Sequence, residues 1–292
     1  MDFFKRLMNR VYSFFGIKQI KTCQEKHQHF IGVQDVVDRF PEEYKTDEDL
    51  LNLVKHMCDL TVHIQISKGE SGFLHGTGFI QRVRTARGIK CPDRNCSLRG
   101  KSHAWVVVTV TTVYHVVETQ GYAELAEITL NFDQDVPPSP SCRGCKLLES
   151  DKETDHYDWC AVECESHELD LEEKLKSCIS SLEELQRATY ERYKGADPRL
   201  VVVVGHPHGG PKKVTFGKWT KKDILKEIRS NQDWCRYVHT SATCPGSSGS
   251  PVFILGQPLC GYGYWFGHPH NHSGRAPDDS VAFTSIGSEH LQ

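Results

Sequence analysis

The stretch Thr243-Cys244-Pro245-Gly246-Ser247-Ser248-Gly249-Ser250-Pro251-Val252-Phe253 decides how the rest of this chain is read. A serine that attacks a carbonyl must present its hydroxyl on a tight turn, because backbone N–H groups have to face the same reacting carbonyl. Gly246 and Gly249 permit such a turn. A Gly/Ser loop of this kind is equally an ordinary turn, so its meaning rests on what else the chain supplies.

Two other segments supply it. Trp105-Val106-Val107-Val108-Thr109 reads as a strand that runs into Thr112-Val113-Tyr114-His115-Val116-Val117. A lone histidine beside an apolar strand is ordinarily structural; this one precedes the serine loop and follows a threonine. In Tyr157-Asp158-Trp159-Cys160-Ala161-Val162 an aspartate enters an apolar stretch. A carboxylate placed there can hold an imidazole in one tautomer and stabilise its charged form. Asp155 is the nearby competitor. The candidates run His115, Asp158, Ser248 along the chain, whereas an α/β-hydrolase would put the serine first.

These segments resemble the chymotrypsin-like serine proteases. Gly246 to Pro251 is similar to their G-x-S-G-x-P loop, and its G-S-S-G-S-P form looks like that of glutamyl endopeptidases. Thr112 to His115 resembles the family's T-A-A-H, and Asp158 its acidic residue at the head of a strand. Val201-Val202-Val203-Val204-Gly205-His206-Pro207-His208-Gly209, followed by Val214-Thr215-Phe216-Gly217, resembles the opening hairpin of the second barrel in high-temperature-requirement proteases. The resemblance implies a serine endopeptidase with His115, Asp158 and Ser248 as catalytic triad and the N–H groups of Gly246 and Ser248 as oxyanion hole. It implies no catalytic cofactor, and protein or peptide substrates.

Some positions depart from the family. Val116 stands where secreted trypsins carry a cysteine, and Cys244 has no evident disulfide partner downstream. Ala242 replaces the acidic specificity residue of trypsin-like enzymes. Gly263 lies near the place where glutamyl endopeptidases have a histidine. The alternative function is a catalytically silent protease-like domain that binds peptides or partners in the same cleft. An interaction protein that recruits partners through its helices is a third reading.

The remaining pattern fits a mainly β chain of two six-stranded antiparallel barrels with a helical N-terminal extension and an interlobe helix. Alternation marks strands at 60–66, 76–80, 105–111, 125–132 and 159–162, then at 200–204, 214–219, 237–240, 252–255 and 259–265. Residues 47–58 predict a helix opened by Asp47-Glu48-Asp49. A longer helix is expected from Asp170 to Tyr193, where Asp170 and Glu173 resemble a capping box. The expected divisions are an extension over 1–58, a first barrel over 59–165, a connecting helix over 166–198 and a second barrel over 199–292. Residues 3–15 carry apolar side chains at helical spacing between Lys5, Arg6 and Arg10, which fits docking on the domain itself or on a membrane surface.

A net charge of −3 gives no electrostatic argument for a nucleic-acid partner, and none is expected. The N-terminus is too interrupted by charge for a secretory signal, so a cytoplasmic setting is expected, with the 12 cysteines as thiols or metal ligands. Cys91 and Cys96, with Cys142 and Cys145, form two close pairs able to share one structural zinc ion. Cys160 and Cys164 read as strand-face residues, and His268, His270 and His272 as parts of a solvated loop.

Overall fold

The computed structural model describes residues 27–93, 96–98, 100–150, 158–229, 232–257, 269–275 and 282–290. In chain order, β1 (Ile31–Gly32) is followed by α1 (Glu48–Leu60), β2 (Thr61–Ser67), β3 (Phe73–Gly88), β4 (His103–Thr112), α2 (Gln120–Leu125), β5 (Ala126–Thr129), β6 (Cys142–Ser150) and β7 (Cys160–Ser166). Helix α3 (Leu171–Tyr193) leads to β8 (Leu200–Gly205), β9 (Lys213–Arg229), β10 (Gln232–His239), β11 (Val252–Ile254), β12 (Asn271–Arg275) and β13 (Phe283–His290).

Strands β2-β3-β4-β7-β6-β5 close into an antiparallel barrel. Val62, Ile64 and Ile66 of β2 meet Val106, Val108 and Val110 of β4 in its core, and closure leaves no sheet edge exposed. The second lobe runs β11-β8-β9-β10-β13-β12. Its two ends meet where Pro251 bridges Asn271, and Val252 N donates to His270 O at 2.8 Å.

The placement of β8 explains why residues 201–204 are uninterrupted valine. Val202 and Val204 join the core of the first lobe, while Val201 and Val203 pack with Cys235, Tyr237, Val252 and Ile254 in the second. A strand buried on both faces cannot alternate with polar residues.

Helix α1 buries Leu50, Leu53, Val54 and Met57, and α3 buries Leu171, Leu175 and Leu182 in the same core. Asp47 caps α1 by accepting from Leu50 N at 3.0 Å. It also accepts from Arg192 Nη1 at 2.6 Å and from Tyr193 Oη at 2.7 Å, tying the start of α1 to the end of α3.

Several expectations are corrected. The 125–132 segment divides into the end of α2 and the short β5, because Thr119 accepts from Tyr122 N and starts a helical turn. The capping box does not form: Asp170 has helical backbone angles, makes no side-chain cap bond and pairs with Lys174 instead. His270 and His272 are buried rather than solvated, and β12 begins at Asn271. Cys160 and Cys164 lie fully buried on β7. The expected helix at 3–15, the strand at 259–265 and His268 fall outside the described residues.

Burial alone would raise the Asp47 carboxyl, but Arg192, the Leu50 N–H and Tyr193 hold it below the ordinary range. A depressed carboxylate stabilises the fold above its unfolded-state range and loses that contribution as pH falls through its folded value. Asp47→Ala is therefore expected to cost about 1–2 kcal/mol at neutral pH. Urea denaturation of both proteins should show the gap closing in acid.

Candidate active site

The backbone turns at the end of β4, with Val116 N and Val117 N both donating to Val113 O, at 3.1 and 3.3 Å. Val113, Val116 and Val117 are buried, which anchors the turn and leaves His115 as its outward member with 44% of its side chain exposed. Strand β7 pairs with β4 from Thr112↔Cys160 onward, so the residues just beyond this register, His115 and Asp158, come together.

Asp158 grips His115 with both oxygens. Oδ2 lies 2.6 Å from His115 Nδ1, and Oδ1 accepts from the His115 backbone N–H at 3.0 Å. Ser273 Oγ donates to Oδ2 at 2.7 Å. Burial works to raise this carboxyl, yet His115, through its side chain and its backbone N–H, and Ser273 hold it below the ordinary range. With an ionised acceptor at Nδ1, that nitrogen is the donor and Nε2 keeps the lone pair.

The serine loop is fixed against the first lobe by Thr77 of β3. Thr77 N donates to Ser248 O at 2.8 Å, and Thr77 Oγ1 donates to Gly246 O at 2.9 Å and accepts from His206 N at 2.9 Å. Thr112 Oγ1, three residues before His115, donates to Thr77 O at 2.7 Å. Gly246 and Gly249 both adopt positive φ, 92° and 86°. A Cβ on Gly246 would come within 2.6 Å of His206 O, and one on Gly249 would strike Thr112 Oγ1 and Thr77 O.

The loop's N–H groups divide by position. Those of Ser247, Gly249 and Ser250 donate to Cys244 O, His272 O and Ser247 O. Among the described residues, the Gly246 and Ser248 N–H groups have no acceptor. This arrangement leaves two donors for an anionic oxygen beside a serine hydroxyl.

The sequence-derived residues are thus brought together unequally. His115 and Asp158 are in direct contact, and the Ser248 loop is pinned to Thr77 of β3, whose carbonyl accepts from Thr112 at the end of the strand before His115. Asp155 and Gly263 lie outside the described residues. Ala242 is buried, with its carbonyl accepting from Thr215 Oγ1. Ser273 and Thr77 were not singled out by sequence; both are short polar residues whose role depends on what the fold places opposite them.

The four cysteines do not converge. Cys91 and Cys96 meet His103 and His167, with their ligand-capable atoms all within 4.8 Å of one another. Cys142 and Cys145 lie on β6, where Cys142 is buried in the barrel core and Cys145 Sγ donates to Glu163 O at 3.2 Å. Among the described residues the cysteines are thiols rather than halves of disulfides.

The family model for the trypsin-like peptidase domain matches residues 99–257. Comparison with curated proteins gives no match. Among solved structures, the active form of the Rv3671c protease from M. tuberculosis is 18% identical at a TM-score of 0.43, over 82% of each chain. The HtrA-type protease AlgW with tripeptide is 13% identical at 0.41, over 80% of this chain and 58% of that one. The thermostable serine protease AL20 from an extremophilic microorganism is 13% identical at 0.40, over 80% of this chain and 91% of that one.

Gly249→Ala combines a positive φ with a collision against Thr77 backbone, and is expected to destabilise the protein by about 2 kcal/mol or more. At Gly195, where an added Cβ meets nothing within 4 Å, the same change should stay within about 0.5 kcal/mol. Chemical denaturation of the two variants side by side checks the contrast.

Proposed function

Because this chain belongs to the trypsin-like peptidase domain family and is a serine-type peptidase, we propose that it cleaves peptide bonds through an acyl-enzyme on Ser248. Its substrates are proteins or peptides. Ser248 Oγ attacks the carbonyl carbon while His115 Nε2 takes the hydroxyl proton. The carbonyl oxygen becomes an oxyanion, stabilised by the N–H groups of Gly246 and Ser248. The C–N bond then breaks as His115 returns the proton to the leaving amine. Water repeats the sequence on the ester and frees Ser248.

The observation that carries this reading is the double grip of Asp158 on His115, at Nδ1 and at the backbone N–H. It orients the ring and supports its positive charge at the moment the proton is held. Ser273 supports the carboxylate in turn, as an outer partner that leaves Oδ2 aimed at the ring. The uncommitted N–H groups at 246 and 248 support the oxyanion assignment. No helix among the described residues is long and apolar enough to cross a membrane.

A fluorophosphonate that labels activated serines is expected to modify Ser248, with Ser248→Ala unlabelled and inactive but folded. An intact protein that is never labelled and never turns over peptide would establish the silent, peptide-binding alternative. Asp158→Asn should lower kcat by about 10⁴-fold, the amount associated with loss of the correct imidazole tautomer.

A further inference from the structure

The tip of the β3–β4 hairpin gathers four groups that the proposed peptidase chemistry does not use. Cys91 and Cys96 lie in the loop between the strands, His103 is the first residue of β4, and His167 directly follows β7. The β4–β7 pairing, which reaches Val106↔Ser166, brings the two histidines to the same end of the barrel. Their rings stack with centroids 5.7 Å apart. We propose that Cys91, Cys96, His103 and His167 bind one structural zinc ion.

The distances are those of a tetrahedral shell. Cys91 Sγ lies 3.5 Å from His167 Nε2, and Cys96 Sγ lies 3.4 Å from His103 Nε2. Zn–S bonds of about 2.3 Å and Zn–N bonds of about 2.05 Å at the tetrahedral angle give S···N edges of about 3.5 Å. The whole set falls within 4.8 Å.

The imidazoles are also turned the right way. His103 Nδ1 donates to Lys101 O at 2.8 Å, which leaves Nε2 with its lone pair facing Cys96. On the other ring, the Asp93 carboxylate lies 3.9 Å from His167 Nδ1 while Nε2 faces Cys91. An outer carbonyl or carboxylate at the far nitrogen is how metal-bound histidines are commonly held.

Two thiolates and two imidazoles fill zinc's usual structural coordination and leave no position for water or substrate, so the ion is structural. The site also stands at the opposite end of β4 from His115. Its physical task is to fasten Cys91 and Cys96 to the end of β7. Cys91 is buried against Trp105 and Val107, so the loop is seated on a small apolar patch that the metal would lock in place.

Elemental analysis of the full chain purified without chelators should find about one zinc per protein. Cys91→Ser, Cys96→Ser, His103→Ala and His167→Ala should each reduce it to about a tenth, and chelation of the wild type should lower Tm by about 4 °C or more. Cys142→Ser and Cys145→Ser should keep the full complement. Cobalt exchanged into the wild type reads the ligands even if a variant does not fold: tetrahedral visible bands with sulfur-to-cobalt charge transfer of about two thiolates are expected. Absence of bound zinc, a six-coordinate cobalt spectrum, a four-thiolate intensity, or metal loss on changing Cys142 or Cys145 would each overturn the proposal.

Discussion

A single buried threonine holds the two halves of this molecule in register. Thr77 sits on a strand of the first barrel, yet its N–H and its hydroxyl both engage the second lobe, at Ser248, Gly246 and His206. Its carbonyl receives the hydroxyl of Thr112, on the strand that leads to His115. Thr77, Thr112 and His206 are buried, so each of their polar groups would cost about 1–3 kcal/mol if left without its partner. Placement of the serine loop relative to the histidine turn is therefore set by a satisfied polar network rather than by apolar packing, which is less directional.

The apolar contribution comes from β8. Its valines face two cores in alternation, so the lobes share a strand's two surfaces and cannot separate without exposing both. The polar network then decides the exact mutual placement that shape alone leaves loose. Helices α1 and α3 close the outside of the shared core, which extends the interior beyond what six short strands could enclose.

Legibility in the sequence followed this division. The valine run at 201–204, the His115 turn with its three flanking valines and Asp158 ahead of its strand were all readable, because apolar periodicity survives in one dimension. Strand β12 was not: Asn271, His272, Ser273 and Gly274 have the composition of a loop. Tertiary contacts override that composition. Asn271 Nδ2 donates to Thr112 O, and burial keeps the neighbouring His270 ring neutral, with its pKa pushed down to about 3. Ser273 was missed with it. The grouping of Cys91 and Cys96 with Cys142 and Cys145 failed for a related reason: spacing identifies close pairs, but strand register decides which pairs face each other. That register selects His103 and His167.

The segment before the first barrel has a mechanical consequence. Ile31 and Gly32 pair with Val214 and Lys213 of β9 in the second lobe, while α1, a few turns later, lies in the core beside the first and runs straight into β2. The chain from 31 to 60 thus acts as a strap laid across the seam and stitched on both sides. The lobes cannot swing apart like the covers of a book unless a strand is peeled from β9 or a helix is pulled from the core. Relative motion of the two lobes is therefore coupled to these two attachments.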